Sequence, residues 1–145
     1  MTLPEIQELA RVEEVLESRW PETKIEPSLD RISHLMTLLG DPQFAYPVIH
    51  ITGTNGKTST ARMIESLLRS MGLRTGLVTS PHLHQVTERI RLNGEPIPAG
   101  KFVEIYDELE PYLAIVDNES LASGGPAMSY FEVLTGMAFA AFADA

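Results

Sequence analysis

Residues 48–60 constrain this chain more than any other stretch. A short apolar run, Val48-Ile49-His50-Ile51, leads into a turn bracketed by Gly53 and Gly56. Lys57 and the hydroxyl residues Thr58, Ser59 and Thr60 follow, and a helical pattern then begins. Strand, glycine turn, Lys-Thr and helix is an arrangement by which backbone grips phosphate. Glycines let several N–H groups point at one anion. The positive end of the following helix adds to that field. Lys57 can reach outer phosphates as a point charge, and the hydroxyl of Thr58 or Ser59 suits Mg²⁺. The spacing is G-x-x-G-K-T. The commoner G-x-x-x-x-G-K-[ST] would need glycine at position 51, where Ile51 stands. The plainer alternative is a strand-to-helix turn with a solvated lysine. The motif's position between a predicted strand and a predicted helix favours the phosphate reading.

With 145 residues the chain is long enough for one domain with a core of its own. Its net charge of -9 argues against broad binding to nucleic acid or anionic membrane. An anionic ligand would therefore need locally concentrated positive groups, of which Lys57 is one. The absence of cysteine excludes disulfides and thiolate metal sites. Met1-Thr2-Leu3-Pro4-Glu5 lacks the basic and apolar regions of a signal peptide. No apolar run reaches the roughly 18 residues of a membrane span. These features lead us to expect a cytoplasmic protein with no nucleic-acid or membrane partner.

Along the chain, Thr2 and Glu5 have capping-box spacing, and Ile6, Leu9, Val12 and Leu16 recur at helical spacing, predicting a helix over residues 3–18. Trp20 and Pro21 end it. With Pro27 nearby, Trp20 reads as a hydrophobic plug beneath a loop rather than a ligand contact. Ser28 is the expected N-cap of a second helix carrying Leu29, Ile32, Leu35, Met36 and Leu39, stopped by Gly40. Residues 48–52 read as a short buried strand. The helix after the glycine turn shows Ala61, Ile64, Leu68 and Met71 on one face, and residues 73–79 read as the next strand. That unit predicts a right-handed crossover with parallel strands.

Ligands of open parallel sheets bind at the carboxyl ends of strands. Ser80 and His82 should therefore stand within reach of the glycine turn. From spacing alone, His82 reads equally as a loop anchor or a ligand contact. Residues 88–92 alternate polar and apolar before Asn93-Gly94, a hairpin signal with Ile97 as a possible start of the partner strand. A helix beginning near Pro98 should end or kink near Glu110, because Pro111 falls within its pattern. Residues 117–127 read as a loop. Ser129 and Glu132 again have capping-box spacing, opening a helix with a broad apolar face over Val133, Leu134, Met137, Ala138, Ala141 and Phe142. So broad a face expects another strand after it, and the chain reads as a piece of a longer protein.

Several of these motifs together resemble one family over essentially the whole chain. They are Ser28-Leu29-Asp30-Arg31-Ile32, Gly53-Thr54-Asn55-Gly56-Lys57, Ser80-Pro81-His82-Leu83, Glu88-Arg89-Ile90 with Asn93-Gly94, and Ser129-Tyr130-Phe131-Glu132. The sequence is similar to the folylpolyglutamate synthase/dihydrofolate synthase family of the Mur ligase group. The resemblance implies an α/β fold: the P-loop, parallel-sheet nucleotide-binding domain of Mur ligase type, here truncated. Residues 1–145 would form the N-terminal portion of the ATP-binding domain, with its remainder and a C-terminal domain absent. That missing part would carry a further Mg²⁺-binding glutamate, a modified lysine and a second metal site.

The resemblance also implies an ATP-dependent ligase, a monomer at full length, that joins L-glutamate to folate or dihydropteroate through an acyl phosphate. The phosphates of ATP would lie against Thr54, Asn55, Gly56, Lys57, Thr58 and Ser59, and Mg²⁺ against Ser80 and Thr58. Lys57 and His82 would be catalytic. His82, Tyr130, Phe131 and Glu132 would lie near the pterin, with Phe131 able to stack on it. Many folate-branch members have glycine where Thr58 stands, which leaves open whether Thr58 or Ser59 serves the metal. The competing readings are an unrelated P-loop ATPase or kinase, which gives residues 80–90 no role, and a non-catalytic nucleotide-binding module.

Overall fold

The structure, a computed structural model, describes residues 1–21 and 28–145. Pro27, expected beside Trp20, lies outside the described residues. Helix α1, Leu3–Glu17, starts as its sequence predicts. The Glu5 N–H donates to the Thr2 hydroxyl at 3.3 Å, and the Thr2 N–H donates to the Glu5 carboxylate at 2.8 Å. Helix α2, Asp30–Leu38, starts later than the Ser28 N-cap implied: Leu29 caps it without a side-chain bond, while the Ser28 hydroxyl accepts the Asp30 N–H at 3.1 Å. Helix α3, Lys57–Ser70, follows the glycine turn.

Helix α4, Ala99–Ala122, overturns the expected break at Glu110 and the expected loop after residue 117. Pro111 costs a helix interior about 3 kcal/mol. Phe102, Ile105, Leu109, Leu113 and Val116 nevertheless form one buried stripe spanning both sides of it. Burying such side chains stabilises by about 1.5–3 kcal/mol each, which outweighs the proline. Helix α5, Tyr130–Asp144, begins at Ser129 with the predicted capping box. The buried faces of α1, α2, α4 and α5 meet in one core that also takes in Val86, Ile90, Ile97 and Met128.

Three short strands flank this core: β1 Gly76–Val78, β2 Ile90–Leu92 and β3 Glu95–Pro96, in the order β1-β2-β3. Both pairings are antiparallel, with Gly76 opposite Leu92 and Arg91 opposite Pro96. Asn93 and Gly94 form the hairpin turn with φ of 51° and 82°, as a mirror-image turn requires. The partner strand opens at Glu95 rather than Ile97, although the Ile97 N–H still reaches the Ile90 carbonyl at 2.8 Å. Strand β1 lies directly on α5, since a Cβ at Gly76 would stand 2.5 Å from the Phe142 ring.

Two expectations need correction. Residues 48–52 form no ladder, so the predicted parallel pair with β1 is not made among the described residues. Val48 and Ile49 are 57% and 61% exposed rather than buried. A strand is stabilised only where a neighbour completes its ladder, and no described segment pairs with this one, although it and β1 line the same cleft. Helix α3 is likewise only partly covered. Ala61, Ile64 and Leu68 are half-buried, and Met71 is 73% exposed. Among the described residues, no helix is long and apolar enough to cross a membrane.

Leu113→Ala should lower stability by about 2–5 kcal/mol, because it opens a cavity where the side chain is fully enclosed. Ser129→Ala should cost about 1 kcal/mol through loss of the α5 cap. Urea denaturation of both variants checks the ranking, and equal losses would contradict this arrangement of the core.

Candidate functional site

A cleft of about 1550 Å³ opens between residues 47–52 and residues 74–80. Its lining includes Lys57 and Thr58 of α3, Ser80 after β1, and Phe131 and Glu132 of α5. Three distant sequence motifs therefore face one space.

Each arrives there for a local reason. Gly56 is the N-cap of α3 at φ 69°, a left-handed conformation that glycine adopts without Cβ strain. No acidic residue occupies the first turn of α3, so the positive end of the helix is not offset there. Lys57 makes no ion pair with any described residue. In a chain of net charge -9, this exposed cation at a helix N-terminus is the local concentration of positive charge that an anion requires. Thr54, Asn55, Gly56 and Ser59 are also exposed on this turn but do not line the cleft.

Ser80 follows β1, and its peptide bond to Pro81 is cis. The next residues are held from one side by Glu88. Its carboxylate accepts the N–H groups of Leu83 at 3.1 Å, His84 at 3.1 Å and Gln85 at 2.9 Å. The bonds from Gln85 and then Leu83 hold the Glu88 carboxyl below the usual carboxylate range. His82 is half-buried and accepts a bond from Arg89, outside the cleft lining. That bond ties it to its own loop and leaves open whether it also meets a ligand.

At the far end, Phe131 is 45% exposed on the cleft wall. Tyr130 is not among the residues that line the cleft, and the Arg89 guanidinium sits 5.1 Å from its ring centroid. Glu132 is heavily committed. Its Oε1 accepts the Ser129 N–H at 3.1 Å, and the Arg31 Nε reaches its two oxygens at 3.0 and 3.2 Å. Arg31 also stands 5.6 Å from the Trp20 ring centroid. The Trp20 indole N–H donates to the Ala127 carbonyl at 2.7 Å. Trp20 therefore ties loops together as a plug would, and one side of it lines the cleft.

Sequence reasoning missed the roles of Arg31 and Arg89. The signal was present, because each arginine falls among buried apolar neighbours: Leu35 and Met36 on α2, and Val86 and Ile90 around Arg89. A charged residue in such a setting calls for a buried partner.

The bonds to Glu88 should govern the 83–85 loop. A carboxyl with a depressed pKa contributes fully above its unfolded value and loses that contribution as pH falls through the folded one. Backbone amide exchange at Leu83, His84 and Gln85 should therefore quicken relative to the core on acidification below the usual carboxylate range. Glu88→Gln should produce the same effect at neutral pH. Unchanged exchange in that variant would count against the anchor.

The Mur ligase middle domain matches residues 51–95. The dihydrofolate synthase/folylpolyglutamate synthase of Mycobacterium tuberculosis is 58% identical over 99% of this chain, which covers 30% of that relative. The solved structure of Mycobacterium tuberculosis folylpolyglutamate synthase complexed with ADP matches with a TM-score of 0.90 and 56% identity, over 97% of this chain and 30% of its own. A structure of an FPGS–AMPPCP–folate complex matches with a TM-score of 0.82 and 30% identity, over 94% of this chain and 32% of its own. The chain thus spans about 30% of the length of the first of these relatives. With the glycine turn, the Ser80 loop and the start of α5 converging on one cleft of a Mur ligase fold, the chain matches a stretch about 30% as long as the folylpolyglutamate synthase/dihydrofolate synthase of Mycobacterium tuberculosis in both sequence and structure.

Proposed function

We propose that the full-length protein is an ATP-dependent ligase that joins L-glutamate to folate, to dihydropteroate, or to both. Residues 1–145 make up the N-terminal portion of its ATP-binding domain and are inactive alone. The observation that carries this reading is the single cleft shared by Lys57, Thr58, Ser80 and Phe131. It puts an anion-binding turn, oxygen donors and an exposed aromatic ring around one space. A general P-loop ATPase or kinase would need the first of these but gives Ser80 and Phe131 no work.

A carboxylate oxygen of the pteroyl substrate attacks the γ-phosphorus of ATP, the bond to the β–γ bridging oxygen breaks, and ADP leaves. The acyl phosphate then meets the amino group of L-glutamate. The amide C–N bond forms, phosphate departs, and the amine loses its proton. This chemistry depends chiefly on positioning and on neutralising charge. The N–H groups of residues 54–59 and the Lys57 ammonium hold the phosphates. The ammonium stabilises the negative charge that builds during transfer, which makes it catalytic. Phe131 stacks on the pterin, flanked by Tyr130 and by the Arg31–Glu132 pair. His82 donates to a substrate oxygen. The hydroxyls of Ser80 and Thr58 are hard oxygen donors on the same cleft, which fits Mg²⁺. When bound, that ion offsets charge on the phosphates. We also read the full-length protein as a cytoplasmic monomer.

Lys57→Ala in the full-length protein should abolish ATP-dependent glutamate incorporation without changing the melting profile, since Lys57 lies exposed on the turn. Ser80→Ala should raise the Mg²⁺ requirement and lower kcat more than it alters folate affinity. Normal turnover by a well-folded Lys57→Ala protein would sink the ligase assignment. A purely folate-side effect at Ser80 would move that residue into the substrate pocket.

A further inference from the structure

Within residues 80–90, two side chains that face each other both belong to basic residue types. The Arg89 Nε–H donates to the His82 Nδ1 at 2.8 Å. A guanidinium carries only donors, so the imidazole nitrogen facing it must accept through its lone pair. The ring proton of His82 then resides on Nε2. Arg89 is suited to impose this arrangement. It is only 6% exposed, it ends a one-turn helix over Val86–Arg89 that runs directly into β2, and its guanidinium lies 5.1 Å from the Tyr130 ring centroid. Its neighbour Glu88 holds the backbone of the same loop at Leu83, His84 and Gln85. Glu13 of α1 is a further charged group within electrostatic reach of the ring.

We propose that Arg89 is a positioning residue that clamps the Nδ1 edge of His82, leaving the Nε2–H edge as the one His82 offers to an acceptor oxygen of the substrate. Two consecutive residues thus act on one loop, since Glu88 shapes its backbone and Arg89 orients its histidine. The oxygen's chemical class, carboxylate or acyl phosphate, rests on the ligase reading above. The ring state itself does not.

The test uses full-length protein labelled with ¹⁵N-histidine, with the His82 signals assigned by their loss in His82→Asn. Long-range ¹H–¹⁵N spectra should show an unprotonated, hydrogen-bonded Nδ1 and a protonated Nε2. Arg89→Leu should erase that signature and lower kcat roughly 10-fold, the scale of one lost hydrogen bond, while leaving the KM for ATP unchanged. Arg89→Lys restores a donor and should recover the signature and most of the turnover. A proton on Nδ1 in the unmodified protein would overturn the proposal. So would a folded Arg89→Leu protein with unaltered ring signals and turnover. Should Arg89→Leu fail to fold, the unmodified protein and Arg89→Lys still decide. An unmodified protein with the expected ring state but no ligation would overturn the ligase reading alone.

Discussion

The buried ion pair between Arg31 and Glu132 connects the core of this molecule to its cleft. The two side chains are only 9% and 12% exposed. Leaving either one alone there would strand a charge in low dielectric, a cost of about 3–5 kcal/mol. The pair joins α2 to the first turn of α5, and the Glu132 carboxylate completes the cap of that turn through the Ser129 N–H. Phe131 sits between these anchored neighbours, so its ring is presented from a fixed helix start rather than a free loop. Rigid support of this kind allows an exposed aromatic side chain to serve as a platform.

The distribution of charge follows the same logic. The protein is acidic, and several of its cations are held by carboxylates: Arg11 by Glu8 and Asp107, Arg19 by Asp117, Arg69 by Glu65, and Lys101 by Glu104 and Asp144. Lys57, like Arg62 and Arg74, makes no ion pair with a described residue, and it lines the cleft from the first turn of α3 with Arg74 also on the lining. The contrast concentrates an available positive charge where phosphate chemistry would need it. Glu65 shows the structural use of charge. It is buried on α3 and accepts from Arg69 at 2.8 Å and from the Thr75 hydroxyl at 2.7 Å, tying the helix to the approach to β1. Those bonds, Arg69 foremost, hold its carboxyl below the usual range.

Much of the architecture was legible in the chain because its causes are local. Thr2 with Glu5 and Ser129 with Glu132 mark helix starts through bonds that close within one turn. Gly56 marks the start of α3 through its own φ, and Asn93-Gly94 marks a hairpin for the same reason. The site motifs could be recognised for a related reason: each is a short run whose chemistry depends on residues close in sequence.

What tertiary structure alone decided involves partners far apart in the chain. Pro111 gave a sound local signal for a helix end, yet the buried stripe on both sides of it carried α4 through to Ala122. Residues 48–52 had every local mark of a buried strand, but a strand exists only when a neighbour completes its ladder, and no described segment does so. The setting of Arg31 and Arg89 among apolar neighbours called for buried partners, but which partners they take, Glu132 at 101 residues and His82 at seven, only packing decided. The sequence by itself determined where most helices begin and where the chain turns, since torsions and nearest-neighbour bonds set these. The fold decided which charged side chains face inward, which ring edge His82 presents and that three motifs share one cleft, since these depend on distances that only packing brings into being.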